Sequence, residues 1–215
     1  MGSMSDAAPS FELTSGALCL DFANTWGDRG RPTTDSLRTF WDLVAFARQA
    51  GIVGDEAGRR MVERAEADPN AATTVLSRCR EVRESLYNIF SAVSQSVAPQ
   101  SEDLATLNQA LPGALQALRL QAQGARFAWS WPGGGASLDA PLGPILFDAA
   151  ELLTSEERAR IRECAGTDCT WLFLDGSRNG SRRWCSMETC GNRAKARRHY
   201  RRQVSGEGPA KDRRP

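Results

Sequence analysis

Four of the chain's six cysteines stand in two brackets, "CAGTDC" (164–169) and "CSMETC" (185–190), with fifteen residues between them. Each C-x₄-C lets a short turn aim two sulfurs at one point. Four thiolates from two such turns complete a tetrahedral shell around Zn²⁺ with no open position, which is a structural site and not a catalytic one. Cys164, Cys169, Cys185 and Cys190 are therefore the candidate ligands of one zinc ion. Two other chemistries use paired cysteines. The x₄ spacing does not suit a thioredoxin-like redox motif, and disulfides are opposed by a reducing compartment. An iron–sulfur cluster is the alternative that four thiolates leave open.

Directly after the second bracket comes "GNRAKARRHYRRQ" (191–203). On a helix, Arg193, Arg197 and Arg201 recur at i, i+4 and i+8 as one stripe, with Lys195, Arg198 and Arg202 beside it and Ala194, Ala196 and Tyr200 as a narrow apolar strip packed inward. Such a helix repels itself unless anions neutralise it. Arginine suits bidentate contact with phosphate and with guanine edges. Arg178, Arg182 and Arg183, between the brackets, offer a second basic surface. Double-stranded DNA is the expected partner. The charge distribution agrees: from Arg158 onward fifteen Lys+Arg face six Asp+Glu, while the residues before carry twelve against twenty. A basic segment tied to an acidic one is the footprint of a polyanion-binding module with a partner domain.

The elements that must position these residues follow from periodicity. "WLFL" (171–174) and "RRWC" (182–185) read as the two strands of a hairpin turning at Asn179-Gly180. Ser186 reads as the cap of a helix that holds Cys190 in its first turn. In the preceding part, "GALCLDFANT" (16–25) alternates like a strand. Helices are expected from an N-cap at Thr34 or Asp35 to Gly51, from Asp55 to about Ala67, from Ala71 to Val97, from a cap at Ser101 through Leu111, and from about Pro144 to Ser155. "ALRLQAQ" and "RFAWSW" (117–131) form a hairpin at Gly124, and "PGGG" (132–135) a loop. The fold class is α+β: a helix-rich N-terminal domain with a small sheet over 4–153, a small zinc domain over 154–204, and a disordered tail over 205–215.

The C-terminal pattern C-x₄-C-x-W-L-F-L-D-x-S-R-N-x-x-R-R-W-C-S-M-x-x-C-G-N-R-x-K resembles the CGNR zinc finger, named after the tetrad seen here as Cys190-Gly191-Asn192-Arg193. "LCLDFANTW" (18–26) resembles the opening of the ABATE domain that accompanies that finger in bacterial stress-induced transcription regulators. The resemblance implies a treble-clef-like zinc domain that binds DNA, with the four cysteines on the ligand positions. It also implies a regulator whose N-terminal domain senses an effector or dimerises.

Asp21 and Asn24, polar within an apolar element, must find partners. Either they tie the first segment to a neighbouring loop or to Arg29, or they line a small-molecule pocket with Trp41, Trp129 and Trp131. Cys19 and Cys79 stand in apolar patterns as core residues. The single histidine, His199, lies among arginines, so no histidine-based catalytic constellation can be assembled, and no nucleotide or nucleophile motif precedes it. The expectation is a regulator and not an enzyme, with an RNA- or protein-binding zinc scaffold as the alternative. The opening "MGSM" reads as an expression scar ahead of Met4 and has no part in the fold. No secretory signal follows it and no run of apolar residues is long enough to span a membrane, so the expected compartment is the cytoplasm.

Overall fold

The computed structural model describes residues 9–29, 31, 34–131 and 137–204, of which 202 and 204 are described by backbone alone. The expected loop at 132–135 and the expected tail at 205–215 lie outside the described residues.

Leu18–Ala23 forms a helix, α1, where alternation predicts a strand. Cys19, Leu20, Phe22 and Ala23 are all fully buried, so the segment is enclosed on more than one face and its alternation carries no period-2 meaning. Its first turn is capped from a distance, because the Asp148 carboxylate accepts the Cys19 N–H at 2.8 Å. No local pattern announces such a cap.

Helix α2 spans Phe40–Gln49, its cap at Thr39 standing four or five residues after the expected one. Thr39 and Asp42 make a reciprocal capping box there. Asp35, an expected cap, instead holds the Arg83 guanidinium through two bonds of 2.7 and 2.9 Å. α3 covers Asp55–Ala67 as the spacing predicts. α4 runs Pro69–Ser94, its first turn closed by the Asp68 side chain on the Ala71 N–H, so "DPN" both ends one helix and opens the next. α5 continues from Ser101 to Ala117, past Pro112, because Ala110 and Ala114 still face the core. The hairpin forms as expected: β1 (Arg119–Gln123) pairs antiparallel with β2 (Arg126–Ser130) around Gly124 at φ 63°. α6 occupies Leu142–Thr154.

α1 sits at the centre, packed on α4 and α6, with α5 bridging α4 and α6. Phe22, Phe46 and Phe90 are fully enclosed in this core. Burying each contributes about 1.5–3 kcal/mol. Beside the core runs a charged network. Arg83, with 1% of its side chain exposed, bonds Asp35, Glu84 and Thr25, and Arg29 stacks on Tyr87 at 3.3 Å while bonding Glu84. Burial pushes the Asp35 carboxyl up, but the Arg83 bonds and charge outweigh it and leave the group below the ordinary carboxylate range.

After a 3₁₀ turn over Glu156–Arg160, β3 (Ile161–Glu163) pairs antiparallel with β4 (Leu172–Leu174). The expected pairing of "WLFL" with "RRWC" is thereby corrected. The first cysteine bracket lies between β3 and β4 and turns the chain back, so β4 meets the strand before the bracket. Residues 175–184 are instead wound around Asp175, whose buried carboxylate accepts the Ser177 hydroxyl and the N–H groups of Ser177 and Arg182. The expected turn at Asn179-Gly180 is present, with Gly180 at φ 60°. Met187–Gly191 forms a π-type turn that leads into α7 (Asn192–Val204). The chain is thus α+β, with two two-stranded sheets among the described residues.

Candidate metal centre and basic face

The two brackets meet. The Sγ atoms of Cys164, Cys169, Cys185 and Cys190 all lie within 4.8 Å of one another. Cys185 Sγ stands 3.7 Å from both Cys169 Sγ and Cys190 Sγ. A tetrahedron built on a Zn–S length of about 2.3 Å has an edge of about 3.8 Å, so the donor set fits zinc in kind and size. Three of the cysteines are buried and Cys169 is half-buried. Phe173, Trp171 and Trp184 pack around them as a small apolar core.

Local sequence explains the approach. Gly166 has no side chain to obstruct it: a Cβ there would lie 3.3 Å from Cys190 Sγ and 3.5 Å from Cys164 Sγ. Ser186 caps the turn that carries Cys190, as expected, by accepting the Thr189 N–H. Donors face the sulfurs from outside the shell. The Cys185 N–H reaches Cys164 Sγ at 3.4 Å, and Arg193 Nη2 reaches Cys190 Sγ at 3.2 Å. Such outer contacts fix ligand orientation and stabilise thiolate charge.

The electrostatics of the bare cluster point the same way. Hydrogen bonds from the Cys169 and Cys185 thiols draw Cys164 down to about 2. The same contact with Cys164 pushes Cys169 up to about 12 and raises Cys185 as well. Cys169 and Cys185 resist ionising beside Cys164, and a bound cation supplies the charge that offsets this. The other two cysteines are core residues. Burial raises the Cys19 thiol, and burial raises Cys79 to about 12.

Helix α7 projects from this centre. Beyond Ala194, which is half-buried, its described side chains are exposed, and Tyr200 is 68% exposed. The expected inward packing of Tyr200 is corrected: α7 rests on the π-type turn at its start, and Tyr200 stands largely in solvent. Arg193, Arg197, Arg198 and Arg201 line one cleft of about 380 Å³ against Gly166, Thr167 and Asp168 of the first bracket. Arg197 bonds Asp168 at 2.9 Å. Lys195 is exposed on α7 outside this cleft, and Arg202 is described by backbone alone.

The second basic surface divides. Arg178 and Arg183 are exposed, the latter with its guanidinium 5.1 Å above Trp184. Arg182 is turned inward. It donates to the carbonyls of Thr14, Leu174, Trp184 and Cys185 and lies 4.4 Å over the Phe173 ring. Those contacts occupy four of its five N–H donors, so Arg182, half-buried, braces the centre.

The five residues expected around a small-molecule pocket do not all converge among the described residues. The Asp21 carboxylate accepts the Ser15 N–H at 2.9 Å. The Asn24 amide is engaged by the Leu172 backbone. Trp41 is 44% exposed on α2, and Trp129 is 54% exposed on β2, edge-on to Phe147. Trp129 and Trp131 do share a shallow hollow with Gly51–Gly54, away from Asp21 and Asn24. Asp168 and Gly166 are the participants that spacing alone did not single out. The only signal for them was their place inside the bracket.

Among the described residues, no helix is long and apolar enough to cross a membrane. No curated protein matches the chain. The model of the CGNR zinc finger matches residues 160–203, and the four sulfurs inside that span hold one structural zinc ion. The model of the ABATE family, described as "Putative stress-induced transcription regulator", matches residues 16–156, about two thirds of the length, and the chain belongs to that family.

Proposed function

We propose that the protein is a DNA-binding transcription regulator. In this reading residues 154–204 are the zinc-braced reader that sets α7 against duplex DNA. Residues 4–153 are the input, sensing an effector or joining two copies. The observation that carries the reading is the state of α7. A helix with basic residues at 193, 195, 197, 198, 201 and 202 stands in solvent beyond its first turn, fixed at its base by the metal shell. A helix that is polar all round and of one charge is not self-sufficient. A row of phosphates supplies the counter-charge along a comparable length, and the guanidiniums supply bidentate donors. Arg178 and Arg183 extend the basic surface, and the acidic N-terminal part limits indiscriminate binding.

Fluorescence anisotropy of a labelled random duplex, titrated with the zinc-loaded chain over a salt series, tests this. The expected log K falls linearly with log salt, with a slope of about −0.9 per phosphate neutralised. A flat slope, or displacement of duplex DNA by equimolar structured RNA, overturns it in favour of a protein- or RNA-binding scaffold. Genome-wide mapping of bound sites then identifies the operator.

A further inference from the structure

We propose that the cleft between the first cysteine bracket and α7 seats one phosphate of the DNA backbone, and that in the free protein the Asp168 carboxylate occupies part of that seat. The proposal rests on the DNA-binding reading above and names the contact at which binding competes with an internal anion.

Four arginines, Arg193, Arg197, Arg198 and Arg201, line a hollow of about 380 Å³ whose lining includes Asp168 as the single acid. That volume lies in the range of ligand clefts and exceeds a lone phosphate, so it admits the phosphodiester with a flanking sugar. Asp168 meets Arg197 Nη2 at 2.9 Å, with 51% and 43% of the two side chains exposed. An exposed ion pair of this kind holds weakly and exchanges readily. A phosphate offers Arg197 the same paired oxygens with more charge. The far wall is set before any ligand arrives, because Arg193 is anchored on the Cys190 sulfur at 3.2 Å. Arg193 therefore links the metal shell to the seat, and the zinc fixes the distance between the guanidiniums and the bracket. The internal carboxylate sets a threshold. A phosphate held in place by the rest of the DNA interface displaces it, and a stray small anion competes poorly.

The experiment measures duplex binding and its salt slope for the full zinc-loaded chain, with zinc content as the control for folding. Asp168→Asn removes the competitor and should tighten binding about threefold to fivefold with nearly the same slope, the equivalent of one exposed ion pair. Arg197→Gln should weaken binding and reduce the slope by about 0.9, one phosphate fewer. In the double variant the Asp168→Asn gain should vanish, because its beneficiary is gone. If the gain persists in full in the Arg197→Gln background, Asp168 acts only through the overall field and the proposal is overturned, while the DNA-binding reading stands. If the wild-type chain shows no salt-dependent binding, both fall. A last arm replaces chloride by inorganic phosphate at constant ionic strength. Unchanged duplex binding supports a backbone phosphate as the occupant. Saturable competition that is lost in Arg197→Gln would assign the seat to free phosphate and overturn the backbone assignment.

Discussion

Asn24 and Leu172, 148 residues apart, exchange two hydrogen bonds: Asn24 Nδ2 donates to the Leu172 carbonyl at 2.8 Å, and the Leu172 N–H donates to Asn24 Oδ1 at 2.9 Å. The side-chain amide thus acts as one residue of a neighbouring strand. Two residues on, the Leu174 N–H donates to the Ser15 carbonyl at 2.7 Å. β4 therefore has β3 on one edge and the N-terminal segment on the other. Thr170 adds a bond to the Gly27 carbonyl, and Gly16 and Gly27 leave room for Leu174 and Trp171.

Asn24→Ala strips partners from two buried backbone groups. The expected loss is about 2–4 kcal/mol, since each buried group left unsatisfied costs about 1–3. Urea denaturation measures it. Unchanged stability would show that water replaces the amide.

Removing a ligand should remove the metal. Purified protein should contain one equivalent of zinc, and Cys185→Ser should lose it with loss of structure around β4 and α7, since ion binding and folding of such a site are coupled. Metal analysis beside circular dichroism checks this, and a brown, iron-containing preparation would point to a cluster instead.

Arg182 and Arg198 should separate stability from binding. Arg182→Ala abandons four carbonyls and the Phe173 ring, and is expected to cost about 1.5–3 kcal/mol, in line with hydrogen bonds to charged groups, and to loosen the zinc. Arg198→Ala should leave the melting temperature and zinc content unchanged and weaken duplex binding. Equal melting temperatures for the two variants would contradict the bracing role of Arg182.

The Asp35–Arg83 pair gives the N-terminal core an acid-sensitive lock. Asp35 is held below its unfolded-state range, so its contribution is fully present above about pH 4 and is lost as pH falls through the lower folded value. Asp35→Ala leaves the buried guanidinium without its bidentate partner and should cost about 3–5 kcal/mol at neutral pH. The variant should also show a flatter decline of stability in acid than the wild type, followed by denaturant midpoints from pH 6 to pH 2.

What the sequence disclosed, and what it hid, divides by the range of the interaction. Cysteine spacing is a local statement about one ion, and all four ligands were legible. α3 has Asp55 and Glu56 in its first turn and Arg64 in its last, the β1–β2 hairpin has Gly124 at its turn, and both were legible too. α1 was misread because its cap, Asp148, comes from α6 and its surroundings enclose it on several sides. β4 was given the wrong strand partner because either arm of the cysteine window could pair with it, and only the Asp175 turn decides. Arg182 and Arg183 are neighbours of one type, yet the first is turned to carbonyls and the second to solvent. Composition treats them alike. Tyr200 reads as an anchor by its type, but its ring is largely exposed.

The double edge of β4 bears on how the zinc unit can be transplanted. A segment cut at residue 154 and fused to another protein would keep its metal ligands but carry an open strand edge, with Leu172 and Leu174 offering backbone groups to any passing chain. Purified alone, it should self-associate. A graft that also brings residues 14–27, joined by a linker, should remain monomeric. The metal unit and the N-terminal segment form one heritable part, and a recombination point that respects the fold cannot fall between them.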